Sequence, residues 1–327
     1  MDAQRNESIL LVRLKSMGDV LLTLPAVHHV REVFPEAKIS FLVSQENAPL
    51  LRGFRQVDRI LTLDRVGYRK FKFRAIFADL LGVLWSLRRE RFSLSVDFQG
   101  YGETALLSRW SGATHRWGVA HRNWRKLMYT RWVPPDCRVH TAEFNLTLLQ
   151  SCGLAPGAIR NELELPAEVL DEARAFLRTL GLDPAKRTLF IQPLTSSPRK
   201  NWGLENYLVV ARQWRDHGLQ IIFGGGPGDK AALEPIRASG FPVCAGVPLL
   251  VSAGLIDLST LVLGGDTGLL HAAVAMGRRV VMLMSSTKPG SCPPFQHVDW
   301  ALVPTQGTTV SSISVEAVND ACARALG

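Results

Sequence analysis

Long hydrophobic runs are missing from this chain. The longest apolar stretch, Val243–Gly265, is interrupted by Ser252, Asp257, Ser259 and five Gly or Pro residues. It therefore reads as loop, helix and strand rather than as a membrane span. Cysteine is scarce and scattered: Cys137, Cys152, Cys244, Cys292 and Cys322. Their odd number and the lack of CxxC or Cys/His ligand spacing argue against a zinc site, and reduced thiols in a cytoplasmic protein are expected. Met1–Glu7 is polar and Ile9–Val12 is too short for the core of a secretory leader, so none is expected. The chain has no GxGxxG dinucleotide fingerprint, no DxD carboxylate pair for a divalent ion, no repeats and no low-complexity tract.

What is present is enough for two ordinary domains: 327 residues, 46% of them apolar. Charge is uneven. Residues 1–165 hold 24 Lys+Arg against 16 Asp+Glu, while the remainder holds 14 against 13. The basic half is expected to meet something anionic: nucleic acid, a membrane surface, or a phosphorylated or acidic substrate.

Ser8–Leu14 is a buried-type strand, followed by Lys15-Ser16-Met17-Gly18-Asp19 and a helix over Val20–Val33. Strand, glycine turn and helix open a doubly wound α/β domain. Strands are expected at Lys38–Val43, Val57–Leu63, Phe92–Phe98 and Thr114–Gly118, and a long amphipathic helix within Phe71–Arg91. Gly153–Pro166 has no clear period and reads as a linker. After it, Arg187–Gln192, Leu219–Phe223, Leu261–Leu263 and Arg279–Met284 alternate with helices, one of them over Lys230–Ala238. The fold class is α/β: two Rossmann-like domains in tandem, 1–155 and 156–327, with sites at the carboxyl ends of their strands and a cleft between them.

Four strand-end loops carry the chemistry. Asp19 is either a helix cap or a general base for an attacking hydroxyl. Thr195-Ser196-Ser197-Pro198-Arg199-Lys200 offers hydroxyls and cations to phosphate oxygens, or is a solvated basic turn. Gly224–Gly228 lets a ligand approach the backbone, with Asp229 either accepting from ribose hydroxyls or capping a helix. The stretch Thr260–Gly277 is strand, tight turn and helix, with cap-type Asp266 and Thr267 and with His271 about one turn in. Its free amides and positive dipole end suit an anion. A metal is not needed to explain these loops.

SMGDVLLTLPAV, DFQGYGETALLSRWSGA, TSSPRKNW and GGDTGLLHAAVAMG occur in the order seen in glycosyltransferase family 9, the heptosyltransferases of lipopolysaccharide core assembly, which the chain resembles over nearly its whole length. The resemblance implies a GT-B architecture, with acceptor bound by the N-terminal half and nucleotide sugar by the C-terminal half. It implies metal-independent, inverting transfer from ADP-heptose to the lipid A/Kdo inner core, without a cofactor. By position, Asp19 matches the catalytic base. Thr195, Ser196 and Lys200 match residues around the donor phosphates, Lys200 also stabilising the leaving group. Asp266, Thr267, Gly268, Leu269 and His271 match the donor-binding element, and Asp229 falls near an acidic position of some relatives.

Arg69, Lys70, Arg122, Arg125 and Lys126 are the candidates for an anionic glycolipid acceptor or the cytoplasmic face of the inner membrane, or they form a solvated surface. Nucleic acid is not expected, because aromatic-rich RNA motifs are lacking. Rival readings are a transferase with another donor or acceptor, a nucleotide-sugar epimerase, and a non-catalytic anion- or membrane-binding protein.

Overall fold

The computed structural model describes residues 7–64 and 73–327, with the side chains of 73–80 left aside. The chain divides into two compact units between Leu163 and Glu164.

The first unit contains β1 (Ser8–Val12), α1 (Met17–Leu21), α2 (Leu24–Val33), β2 (Lys38–Ser44), β3 (Arg59–Leu63), α3 (Phe73–Arg89), β4 (Leu94–Asp97), α4 (Gly102–Trp110), β5 (His115–Val119), α5 (Asn123–Lys126), β6 (Arg131–Val133) and α6 (Thr141–Ser151). The six strands form one sheet in the order β3-β2-β1-β4-β5-β6, and every pairing is parallel. The strands are continuous apolar runs because both faces are covered: Ile9, Leu10, Leu11 and Val12 are all fully buried.

The second unit repeats the plan with α7 (Ala167–Thr179), β7 (Thr188–Gln192), α8 (Leu204–Asp216), β8 (Gln220–Gly225), α9 (Glu234–Ala238), β9 (Val243–Ala245), α10 (Leu249–Asp257), β10 (Leu261–Gly265), α11 (Gly268–Ala275), β11 (Val280–Leu283), β12 (Ala301–Leu302) and α12 (Val315–Leu326). Its sheet runs β12-β11-β10-β7-β8-β9. In both units the first and fourth strands are neighbours and the order reverses between them. That reversal is the topological switch point, where α/β sheets leave a crevice beyond the strand ends.

Proline corrects two of the expected helices. Pro25 has no N–H, so it cannot make the bond back to the carbonyl four residues earlier that an unbroken helix needs, while the first turn of a helix tolerates it. The expected helix 20–33 is therefore two helices, broken at Leu22 and Thr23, with Pro25 in the first turn of the second. Pro235 acts similarly: a short 3-10 turn at Pro227–Asp229 is followed by a helix only from Glu234. The edge strands β6 and β12 were not expected, being too short to carry a pattern. None of the five cysteines is in a disulfide, and burial pushes the thiols of Cys244 and Cys322 up to about 12, so those two pack as small neutral groups. Among the described residues no helix is long and apolar enough to cross a membrane.

Candidate active site

Each unit assembles its polar residues at its own switch point. In the first, β1 delivers Leu14–Ser16 and α1 carries Asp19 in its first turn. Asp19 Oδ2 accepts from the Ser16 amide and hydroxyl, both at 3.0 Å. Its Oδ1 faces Arg13 Nη2 at 3.0 Å. Asp19 therefore sits at the third helical position, reaching back to the cap rather than being the cap. An ionised carboxylate has about four lone-pair sites. Three are used, leaving room on Oδ1 for one further donor.

Arg13 is itself fixed, donating to the carbonyls of Lys15 at 3.1 Å and Phe98 at 2.5 Å. Across the switch point, Gln99 follows β4, and its Oε1 accepts from the amides of Leu14 at 2.9 Å and Lys15 at 3.1 Å. Gln99 is 3% exposed, yet its Nε2 has no hydrogen-bond partner. Behind it, fully buried Asp97 accepts from the amides of Gln99 and Gly100 and from the Tyr129 hydroxyl at 2.7 Å. Burial raises the Asp97 carboxyl above its ordinary range, against the lowering effect of those hydrogen bonds. Glycine is required at Gly100, where φ is +65° and a Cβ would strike the Val119 carbonyl, and at Gly118, which the Tyr129 ring covers.

His121 and Arg125 border the same strand ends. His121 Nε2 lies 3.3 Å from the Gln99 carbonyl and its ring packs edge-on to Tyr101. Lys15 Nζ stands over the Tyr101 ring, and Arg125 donates to the Gly100 carbonyl at 2.8 Å. Arg122 is exposed at the start of α5, and Lys126 lies over the Trp132 ring at 4.3 Å. Arg69 and Lys70 lie outside the described residues.

In the second unit, Lys200 comes from the loop after β7 and Asp266 from the end of β10, its neighbour in the sheet. Lys200 Nζ lies 2.6 Å from Asp266 Oδ2, and His271 Nε2 is 3.2 Å from Oδ1. Burial works to raise the Asp266 carboxyl, but the hydrogen bonds and charges of His271 and Lys200 outweigh it and hold it at about 2. Lys200 has three ammonium donors, and the pair uses one. Thr267 caps α11 with extended backbone, but its Oγ1 caps nothing. That hydroxyl and His271 Nδ1 are buried without a partner. Gly268 and Leu269 occupy the first turn of α11, whose amides point beyond the helix end.

Two glycines bring these loops together. A Cβ on Gly264 would lie 2.4 Å from the Gln192 carbonyl oxygen. One on Gly265 would lie 2.6 Å from Thr195 Cγ2 and 3.2 Å from the Lys200 carbonyl oxygen. Thr195 uses its hydroxyl within its own loop, donating to the Ser197 carbonyl at 2.7 Å with Asn201 Oδ1 at 3.0 Å. Ser196 lies between Thr195 and the 3-10 turn Pro198–Lys200. Asp229 stands on the separate loop after β8, where its Oδ2 caps the turn by accepting from the Gly226 amide at 2.8 Å.

Sequence reading missed Arg13, Asp97, Tyr129, Gln99 and Gln192, whose Oε1 is also buried and unpartnered. Gln192 closes β7 after Leu189, Phe190 and Ile191, and Gln99 stands two residues past the end of β4. An amide at that point is a signal available in the sequence.

The family model described as glycosyltransferase family 9 (heptosyltransferase) matches residues 82–311. The lipopolysaccharide core heptosyltransferase OpsX of Haemophilus influenzae is 22% identical over 90% of this chain and 83% of its own length. Lipopolysaccharide heptosyltransferase 1 of Escherichia coli is 25% identical over 86% of this chain and 89% of its own. Among solved structures, a family 9 glycosyl transferase from Veillonella parvula superposes with a TM-score of 0.87 at 21% identity, covering 98% of this chain and 97% of that one. The E. coli heptosyltransferase WaaC with ADP gives 0.78 at 23% identity, covering 97% and 99%.

Proposed function

The chain belongs to glycosyltransferase family 9 (heptosyltransferase), and from that premise we propose that it transfers heptose from ADP-heptose to the lipid A/Kdo inner core of lipopolysaccharide, with inversion and without a metal ion or cofactor. The observation that carries this reading is the Lys200–Asp266–His271 group at the N-terminus of α11. In the solved structures of WaaC, the bound molecules are ADP and ADP-2-deoxy-2-fluoro heptose, and an adenine nucleotide sugar is the donor we assign here. The second unit is its site and the first unit that of the acceptor.

The donor pyrophosphate lies along the first-turn amides of α11, Thr267 to Leu269, with the helix dipole favouring its charge. Lys200 turns its remaining ammonium donors to the phosphate oxygens. Asp266 keeps that cation in place and, being paired, does not repel the incoming anion. Thr267 Oγ1 supplies a further hydrogen bond from a hydroxyl otherwise left without one. Thr195 and Ser196 shape the loop, and Asp229 caps the glycine-rich turn through which the backbone approaches the nucleoside.

Asp19 takes the proton of the acceptor hydroxyl through its free lone pair on Oδ1. The oxygen then attacks the anomeric carbon from the face opposite ADP, which gives inversion. Lys200 and the α11 amides take up the charge that develops on the departing phosphate. Arg13 holds the Asp19 carboxylate at a fixed angle. Arg122, Arg125 and Lys126 meet the carboxylates and phosphates of the acceptor. Such an acceptor is held in a membrane, so the enzyme works at the cytoplasmic surface of the inner membrane.

The test is titration with ADP, UDP and GDP in the presence of a chelator, followed by product analysis with ADP-heptose and a Kdo-bearing acceptor. Selective ADP binding that survives chelation, with an inverted anomeric linkage in the product, supports the reading. Preference for UDP or GDP overturns the donor. Donor consumption without any acceptor favours an epimerase.

A further inference from the structure

Helix α3 turns Val83 and Leu87 inward, and both are buried; Leu81, Trp85, Arg88 and Arg89 lie on its other side. Helix α4 does the same, with Ala105 and Leu107 inward and Leu106, Arg109 and Trp110 outward. The two helices are fastened side by side. Trp110 Nε1 donates to the Leu84 carbonyl at 3.1 Å, and Arg88 donates to the Trp110 carbonyl at 3.3 Å. Four large apolar side chains therefore share one surface: Leu81 (49% exposed), Trp85 (62%), Leu106 (56%) and Trp110 (52%). Beside them opens a cavity of about 840 Å³ lined by Leu63, Leu84, Leu107 and Met128, with Arg88, Arg109 and Glu103 as its charged groups. The Arg89 guanidinium lies over the Trp85 ring at 5.0 Å.

Grouped exposure of this kind marks an interaction surface. Its composition says which kind. Tryptophan and leucine interleaved with arginine fit the boundary between lipid headgroups and acyl chains, where an indole keeps one edge wet and its body apolar. The excess of positive charge in residues 1–165 complements anionic headgroups and draws this unit toward them.

We propose that the α3–α4 face is a lipid-docking surface. Leu81, Trp85, Leu106 and Trp110 enter the headgroup–acyl boundary of an anionic bilayer, and Arg88, Arg89 and Arg109 meet its phosphates. The inference adds a specific face and an apolar anchor to the transfer reading, and rests on that reading only for an acceptor held in a membrane.

The full chain is floated with vesicles of phosphatidylcholine alone and of phosphatidylcholine with phosphatidylglycerol. Binding is expected on the anionic vesicles and at least tenfold weaker on the neutral ones. The double variant Leu81→Gln/Trp85→Gln is expected to lose at least tenfold in anionic vesicle binding while keeping wild-type turnover on a water-soluble acceptor without acyl chains. Leu106→Gln, on the other helix, repeats the test should the first variant fail to fold. Undiminished vesicle binding in the variants overturns the proposal. So does a wild-type dimer that the substitutions dissolve, because the face would then belong to a second copy of the chain. Absence of turnover on the soluble acceptor by wild type counts against the transfer reading alone, and flotation still decides the docking surface.

Discussion

Lys200 Nζ lies 2.6 Å from Asp266 Oδ2 although the two residues are 66 positions apart. The pair spans the ends of β7 and β10, the strands between which the sheet order reverses. Its cation has ammonium donors to spare for an arriving phosphate. Lys200→Ala is expected to weaken ADP binding and turnover together, because the same charge serves the bound donor and the leaving group. Calorimetric titration with ADP and initial rates at varied donor concentration check this; unchanged donor kinetics would remove Lys200 from the site.

Asp266 makes acid stability predictable in sign. Its folded carboxyl value of about 2 is below the unfolded value of about 3.9. The stabilisation is complete above about pH 4 and is lost as pH falls toward about 2, on the order of 2 kcal/mol in all. Denaturant unfolding across that interval should show stability rising with pH in the wild type and a flatter profile in Asp266→Asn.

Asp97 works in the opposite direction. Burial raises its carboxyl above the ordinary value. Its contribution is therefore most favourable below the unfolded value of about 3.9 and declines as pH rises through the folded one. Asp97→Asn should remove that decline, read as the difference between mildly acidic and neutral denaturant midpoints. Tyr129→Phe withdraws a hydroxyl from the same buried carboxyl and should cost about 1–3 kcal/mol.

Asp19→Asn keeps the shape of the side chain and removes the base. Turnover is expected to fall by roughly 10²–10⁴, with the thermal midpoint and ADP affinity close to wild type. Near-normal turnover would withdraw the assignment.

Gly265→Ala places a methyl group 2.6 Å from Thr195 Cγ2 and should push the loop carrying Lys200 out of register. About a tenfold loss of ADP affinity is expected, equivalent to about 1.4 kcal/mol. Adding Thr195→Ser deletes the opposing methyl and keeps the hydroxyl, so the double variant should recover much of the loss. Failure of the second substitution to rescue would show that the packing of Gly265 on Thr195 does not position the loop.

The alternation of strands and helices, the two doubly wound halves and the glycine loops are legible in the sequence, because these rest on apolar period and local turn chemistry. Sequence reading misjudged the helices around Pro25 and Pro235, where one missing amide outweighs a long apolar pattern. Folding alone brings Lys200 to Asp266, sets Arg13 against Asp19, and lets Gln99 tie two amides of β1's loop across to β4. The Lys200 and Gln99 contacts depend on which strands become neighbours, set in a parallel sheet by crossovers dozens of residues long, and the Arg13 brace on how the β1–α1 loop folds back. The same is true of the α3–α4 face. The structure leaves Trp85 and Trp110 exposed, and the packing of the two helices puts both on one surface.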